Sequence, residues 1–293
     1  MNMTDLLIDK IEEKSNPTVA GLDPRLEYLP DDLRRAATDA QSVSLAITEF
    51  NCRIIDAIKD VVPAVKIQSA FYELYSHYGV KAMEDSARYA KDSGLIVMAD
   101  VKRNDIGSTA EAYASAYLGG DLFDYITVNP YPGYDGIKPF VDVCEEKGKG
   151  IFVLARMSNP SAAQIQNLVT SDGKPVYMHV GGLIEEWGKT TLGGHGYSAV
   201  GAVVGATNPD EARRLRKAFK SVFFLVPGYG AQGGKGKDAA ASFDDEGRGA
   251  IVNNSRGIIA AYKTERYAGM KYYEAAREAA LAMKADLCSE LGK

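Results

Sequence analysis

Short apolar runs alternate with longer amphipathic segments along almost the whole chain. Apolar runs of about four to eight residues bounded by turn residues are typical of strands buried on both faces, as in parallel sheets. Such runs predict eight strands, at residues 18–22, 64–68, 95–102, 125–128, 150–155, 200–204, 222–226 and 250–252.

Segments with apolar residues three or four positions apart, the spacing of one helix face, lie between most of these strands. They predict helices at residues 4–14, 80–92, 108–118, 176–188, 210–219, 237–243 and 267–287, and helical structure between 31 and 60. The connection at about 161–196 is longer than the others. We interpret it as an elaborated loop with a helix and a surface excursion.

This alternation favours an α/β protein with a single domain. Eight βα units follow one another in 293 residues without a fixed-period repeat or a low-complexity linker. Such a chain favours a closed (β/α)8 TIM barrel over an open sheet. We therefore predict one barrel domain over residues 1–293, preceded by an N-terminal helix.

Composition and charge narrow the possible partners. Hydrophobic residues make up 46% and charged residues 25% of the chain, which is ordinary for a globular protein. The net charge of −5 provides no electrostatic footprint for nucleic acid or a membrane surface, and no apolar run is long enough to span a bilayer. Three widely spaced cysteines and the lack of a signal-peptide pattern predict a cytoplasmic protein with free thiols.

The most informative stretch is the end of the third predicted strand, where apolar residues lead into Asp100-x-Lys102-x-x-Asp105. Side chains two apart on a strand share a face, so Asp100 and Lys102 are expected to point the same way. In a barrel the carboxyl ends of the strands form the active site. The spacing alone is explained equally well by an ion pair that closes the strand end.

Other predicted strand ends also carry polar residues. Asp23 follows the first strand, Lys66 lies within the second and Ser158 follows the fifth. Glycine-rich loops follow strands seven and eight, at residues 227–234 and 253–257. In this architecture the loops after the last two strands are a recurrent phosphate site.

The residues of these two loops suit an anion. Glycines such as Gly233 and Gly257 expose backbone N–H groups, and Arg256 adds a two-pronged donor that matches phosphate. Gln232 could close over the phosphate as part of a mobile loop. The glycines could instead serve only tight turns, but two such loops with an arginine favour a phosphate-bearing substrate.

Several of these motifs together resemble one family. They are Asp100-x-Lys102-x-x-Asp105-Ile106, Lys66 in the preceding strand, the loop at 227–234, and the strand ending at 254–258. In combination they resemble orotidine 5′-phosphate decarboxylase over residues 20–258. The long segments 31–60 and 161–196 are similar to the longer bacterial subfamily.

The resemblance implies a decarboxylation of orotidine 5′-monophosphate (OMP) to uridine 5′-monophosphate (UMP) without metal or cofactor. It implies that Lys102 is the cation beside C6 of the pyrimidine and its later proton donor. Asp100 would lie against the departing carboxylate. Asp23 and Lys66 would hold the ribose hydroxyls, and Lys66 would complete an alternating array of lysines and aspartates.

The remaining implied roles concern the ends of the substrate and a second subunit. Ser158 would contact the edge of the pyrimidine ring, and Gln232 with Arg256 would bind the phosphate. Asp105 and Thr109 would reach across the interface of a homodimer to the ribose in the neighbouring site.

Two other functions stay open on the residues themselves. One is a related barrel that acts on a keto-sugar phosphate through a metal-stabilised enediolate, although Lys66 stands where that chemistry needs another carboxylate. The other is a non-catalytic nucleotide-binding protein. His77, His179 and His195 show no metal-ligand spacing, and no motif indicates a cofactor.

Overall fold

A computed structural model describes residues 1–230 and 233–293, which form a closed barrel of eight parallel strands. Each strand pairs with its neighbour in chain order, and the last pairs with the first. The strands are β1 (Thr18–Gly21), β2 (Ala64–Gln68), β3 (Ile96–Arg103), β4 (Tyr125–Val128), β5 (Gly150–Arg156), β6 (Val200–Val204), β7 (Phe224–Val226) and β8 (Ala250–Asn254). The predicted (β/α)8 barrel is confirmed.

The described residues form thirteen α-helices, most of which surround the barrel. They are α1 (Met3–Lys14), α2 (Asp31–Ala36), α3 (Ala40–Ile58), α4 (Ala70–Glu73), α5 (Ser76–Asp92), α6 (Gly107–Leu118), α7 (Tyr134–Lys147), α8 (Ala163–Gln166), α9 (Val176–Trp187), α10 (Pro209–Ala218), α11 (Gly236–Ala240), α12 (Arg256–Ile259) and α13 (Tyr272–Glu290). Within these described ranges, no helix combines the length and apolar character needed to cross a bilayer.

The inside of the barrel is filled by inward-facing residues at alternate strand positions. One apolar cluster combines residues such as Val19, Ile96 and Ile251 with Leu7 and Ile8 of α1. The helix α1 therefore closes the amino-terminal opening of the barrel. The opposite opening, at the carboxyl ends of the strands, stays free for a ligand.

The α1 plug is tied to a distant loop. The buried carboxylate of Asp5 accepts hydrogen bonds from the backbone N–H groups of Gly194 and His195 at 3.0 and 2.9 Å. These bonds offset the burial that would otherwise raise the pKa of Asp5, and its pKa lies below the usual value. The long connection between β5 and β6 is thus fastened beneath the barrel.

Several helices of the observed structure depart from the predicted pattern, among them the short helices α4, α8 and α12, which were not predicted. The helix α7 was not predicted, because Gly133 and the internal Pro139 act as helix breakers in a local reading of the sequence. The predicted helical segment 31–60 consists of two helices, α2 and α3, which are separated at residues 37–39.

Candidate active site

A cavity of about 420 Å³ opens at the carboxyl ends of the strands. Its floor includes the apolar side chains of Val203 and Leu225. Polar residues line much of the rest: Asp23, Lys66, Gln68, Asp100, Lys102, Thr127, Ser158, Asn253, Ser255 and Arg256. Most of the residues selected from strand ends in the sequence therefore meet around one space.

Lysines and aspartates alternate along one wall of this cavity. Lys66 Nζ lies 3.9 Å from Asp23 Oδ1 and donates to Asp100 Oδ2 at 2.8 Å, and Lys102 Nζ donates to Asp100 Oδ1 at 2.5 Å. The side chain of Lys66 is only 5% exposed, whereas that of Lys102 is 36% exposed. Lys102 is therefore the member of the array whose amine a ligand can reach.

Two further residues, which sequence analysis missed, hold Asp100 in place. Gln68 Nε2 donates to Asp100 Oδ2, and Thr127 Oγ1 donates to Asp100 Oδ1, both at 2.9 Å. Gln68 is the last residue of β2 and Thr127 is the third of the four residues of β4, and both strands are adjacent to β3. Their polar character at a strand end was the available signal.

The electrostatics of the array favour its charged form. Burial alone would raise the pKa of Asp100, but the charges of Lys66 and Lys102 and their hydrogen bonds outweigh it and hold that pKa well below its usual range. Burial alone would lower the pKa of Lys66, but the carboxylates of Asp100 and Asp23 raise it overall. The buried pair is therefore ionised at neutral pH.

Lys102 has an unusual backbone conformation. Its φ angle is +45°, in the left-handed region that residues with a side chain rarely adopt, and the pairing of β3 with β4 shifts register between Ala99 and Arg103. Its N–H donates to Thr127 Oγ1 at 2.9 Å. A strained conformation of this kind persists only where its surroundings impose it.

The side chain of Arg103 supplies part of that restraint. Its guanidinium lies 5.3 Å from the ring centre of Tyr113 and 5.4 Å from that of Tyr117, and donates to the Tyr117 hydroxyl at 2.9 Å. It also donates to Glu73 Oε1 at 3.1 Å. The residue after Lys102 is thus anchored to α6 and α4.

The loops after β7 and β8 flank the other side of the cavity. Arg256 and Ser158 line it as expected, but Gly233 and Gly257 are not among the lining residues. The N–H of Gly257 donates to Asn254 Oδ1 at 3.1 Å, so it serves the local turn in this structure. Gln232 lies outside the described residues.

Asp105 and Thr109 lie outside the cavity of their own chain. Asp105 Oδ1 accepts from the Ile106 N–H at 2.9 Å, and Thr109 is exposed on the first turns of α6. Ile106, which lies between them in the chain, is 62% exposed. Asp105 and Thr109 therefore face outward, together with an apolar side chain.

The three histidines lie away from the cavity. His179 contacts Thr170 and Asp172, and His195 contacts Asp9. Over residues 1–230 and 233–293, no group of three or more histidine, cysteine, aspartate or glutamate side chains is arranged to hold a metal ion.

Comparisons with known proteins agree on one family. Residues 21–271 match the sequence model described as "Orotidine 5'-phosphate decarboxylase / HUMPS family". A protein of Rhodopirellula baltica named orotidine 5'-phosphate decarboxylase is 47% identical over 259 residues, 85% of each chain. One of Clostridium acetobutylicum with the same name is 42% identical over 284 residues, covering 97% of this chain and 98% of the relative.

Solved structures are similar over the whole barrel. A putative orotidine 5'-phosphate decarboxylase of Streptomyces avermitilis superposes with a TM-score of 0.82 at 30% identity, covering 100% of this chain and 96% of the other. The OMP decarboxylase of Leishmania donovani superposes with a TM-score of 0.79 at 28% identity, covering 100% of both chains. Both cover the long connection between β5 and β6.

Proposed function

The chain belongs to the orotidine 5'-phosphate decarboxylase / HUMPS family and is a carboxy-lyase, and we propose that it converts OMP to UMP and carbon dioxide in pyrimidine biosynthesis. The observation that carries this proposal is the array of Lys66, Asp100 and Lys102 in the cavity that Arg256 also lines. A phosphate-bearing nucleotide bound at Arg256 extends across the cavity toward this array.

The array suits the chemistry of this decarboxylation. Loss of carbon dioxide from C6 leaves a lone pair in the plane of the pyrimidine ring, where no conjugated group can accept it. A cation next to C6 stabilises that charge as it develops. We assign this role, and the later donation of a proton to C6, to Lys102, whose amine is partly exposed and held by Asp100.

Asp100 faces the carboxylate that leaves. Two carboxylates about 4 Å apart repel each other by about 4 kcal/mol at an effective dielectric constant of about 20. Enzymes lower activation barriers by about 8 to 23 kcal/mol, so this repulsion accounts for only a fraction of such a reduction. The rest of the reduction in the barrier comes from the binding energy of the phosphate and ribose that is realised in the transition state. We assign ribose binding to Asp23 and Lys66, and pyrimidine contact to Ser158.

The active unit is proposed to be a homodimer. Asp105 and Thr109 do not line the cavity of their own chain, and Ile106 between them is exposed. In a dimer formed through this face, Asp105 and Thr109 reach the ribose of the neighbouring site. Phosphate contacts by Gln232, Gly233 and Gly257, independence from metals and cofactors, and the cytoplasmic location stay predictions.

The test follows the ultraviolet absorbance of OMP in the presence of purified protein and excess EDTA. We expect turnover by the wild type that EDTA leaves unchanged. Turnover that EDTA abolishes would favour a metal-dependent relative, and UMP binding without any turnover would favour a non-catalytic protein.

A variant of the assigned acid tests the mechanism. Lys102→Ala is expected to lower kcat by at least about a thousandfold, because it removes the cation and the proton donor, while UMP still binds. Lys81→Ala is the matched control, because Lys81 is 69% exposed and pairs with Asp85 on the surface of α5, away from the cavity. Substantial turnover by Lys102→Ala would contradict the assignment.

A further inference from the structure

Ser255 places a hydroxyl group in the wall of the cavity, directly before Arg256 in the chain. We propose that this hydroxyl donates a hydrogen bond to the phosphate of the bound nucleotide, which makes Ser255 a further substrate-binding residue. The inference rests on the proposed function and deepens it, because it assigns a contact with the substrate to a side chain that had no role in the sequence analysis.

A neighbouring amide determines which way the hydroxyl donates. Asn253 Nδ2 donates to Ser255 Oγ at 3.2 Å, and Asn253 is only 8% exposed. A hydroxyl that accepts a hydrogen bond in this way still has its own proton to donate. In the part of the chain that the structure describes, that proton makes no hydrogen bond to a protein acceptor. A ligand bound in the cavity can supply the acceptor for this proton.

Gly21 on the adjacent strand β1 provides the space for this hydroxyl. A Cβ atom at position 21 would lie 1.9 Å from Ser255 Oγ and 2.7 Å from Ser255 Cβ. Gly21 is not among the glycines with a positive φ angle, so its backbone conformation is open to other residues. The close approach of Ser255 is therefore what requires glycine here.

The surroundings favour the phosphate over the ribose as the acceptor. Arg256, the next residue, lines the same cavity and carries a permanent positive charge. The glycine loop after β7 also reaches this point, because a Cβ at Gly230 would lie 3.9 Å from the side-chain amide of Asn254. Phosphate oxygens are acceptors, and a hydroxyl with an unused proton complements them. Asp23, to which we assign the ribose, follows the same strand as Gly21, so the position of Ser255 next to Arg256 is what favours the phosphate.

The test measures UMP binding, which requires no turnover. Isothermal titration calorimetry should show UMP affinity of Ser255→Ala reduced by about ten- to one-hundredfold, the range expected for a hydrogen bond to a charged group. Ser289→Ala, an exposed serine on α13, should bind UMP as the wild type does. The ³¹P chemical shift of bound UMP should differ between wild type and Ser255→Ala and not between wild type and Ser289→Ala.

The outcomes separate this inference from the proposed function. Unchanged UMP affinity in a folded Ser255→Ala protein overturns the inference alone, as does reduced affinity without a change in the ³¹P shift, because the hydroxyl then contacts another part of the nucleotide. A wild type that does not bind UMP overturns both. If Ser255→Ala does not fold, Ser255→Gly carries the same test, since glycine occupies less space beside Gly21.

Discussion

The carboxylate of Asp100 is held by four side-chain donors, two on each oxygen. Lys66 and Gln68 donate to Oδ2, and Lys102 and Thr127 donate to Oδ1. Charge-assisted hydrogen bonds of this kind are strong, and together they leave the carboxylate little freedom to rotate. Asp100 therefore cannot move away from an incoming carboxylate, which is the condition under which repulsion acts on the substrate.

The same contacts predict a dependence of stability on pH. Asp100→Asn should lower the free energy of unfolding by about 3 kcal/mol at pH 7, because it leaves the buried amine of Lys66 without its main partner. The depressed pKa of Asp100 means that its contribution is present above the unfolded pKa of about 3.9 and is lost as pH falls through the lower folded value. The raised pKa of Lys66 preserves the pair until the pH exceeds about 10.

Urea unfolding between pH 3 and pH 8 measures this effect. The difference in the free energy of unfolding between wild type and Asp100→Asn should be constant from about pH 6 to 8 and should shrink below about pH 4. Asp142→Asn is the control, because its pair with Lys138 is exposed to solvent and such surface pairs contribute little to stability. A difference that stays constant down to pH 3 would contradict the depressed pKa.

Gly21 allows a second prediction for single residues. Gly21→Ala should destabilise the protein by about 1–3 kcal/mol, because the new methyl group overlaps Ser255 Oγ. Adding Ser255→Gly removes the overlapping atoms, so the double variant should be more stable than Gly21→Ala alone. Urea unfolding of both single variants and the double variant measures this coupling. Additive effects would show that the two residues do not compete for the same space.

Among the elements, the end of β3 is where regular structure gives way to the site. The strand shifts register against β4 between Ala99 and Arg103, and Lys102 takes a positive φ angle there. The alternation of a regular strand puts Lys102 on the same face as Asp100, and the irregularity changes the backbone at Lys102 without removing its contact with Asp100. The contacts of Arg103 with the rings of Tyr113 and Tyr117, and its hydrogen bond to the Tyr117 hydroxyl, hold the chain on the far side of the irregularity.

We therefore expect Arg103→Ala to lower kcat by about ten- to one-hundredfold with little change in KM for OMP. Without its anchor, Lys102 relaxes toward ordinary strand geometry and its amine no longer lies beside C6, while the groups assigned to the phosphate and ribose stay in place. Steady-state kinetics with OMP measure kcat and KM separately. Arg53→Ala, an exposed arginine on α3, is the control. A rise in KM with unchanged kcat would instead assign Arg103 to substrate binding.

In the whole molecule, one chain contains most of the predicted site. The cavity is lined by Lys66, Asp100 and Lys102, but Asp105 and Thr109 lie outside it and are carried on the outward-facing start of α6. Ile106, beside Asp105 in the chain, is an exposed apolar side chain at this position. A second copy of the chain that covers this face would bring Asp105 to its partner's cavity.

Mixed subunits test this arrangement. Lys102→Ala and Asp105→Ala proteins, each inactive alone, should regain about one quarter of wild-type activity after random exchange, because half of the dimers are hybrids with one intact site each. Absorbance of OMP measures the recovery, and mass spectrometry of the native dimers measures the exchange. Absence of recovery despite exchange would place Asp105 in its own chain's site.

The sequence alone was sufficient for the barrel and for the core of the site. Strand and helix periodicities are local properties of the chain, so the positions of β2, β4 and β6 were predicted to the residue. Asp100 and Lys102 were expected to face one way because successive side chains of a strand alternate. Their common location with Lys66 followed from the rule that strand ends in a barrel meet at one opening.

Contacts between strands were decided only by the tertiary structure. The convergence of Gln68 and Thr127 on Asp100 depends on how β2 and β4 are aligned with β3, and the fit of Ser255 against Gly21 depends on how β8 meets β1 when the barrel closes. The positive φ of Lys102 likewise results from an irregularity in pairing. Register and closure involve residues far apart in the chain, and for that physical reason no local pattern of apolar and polar positions contains them.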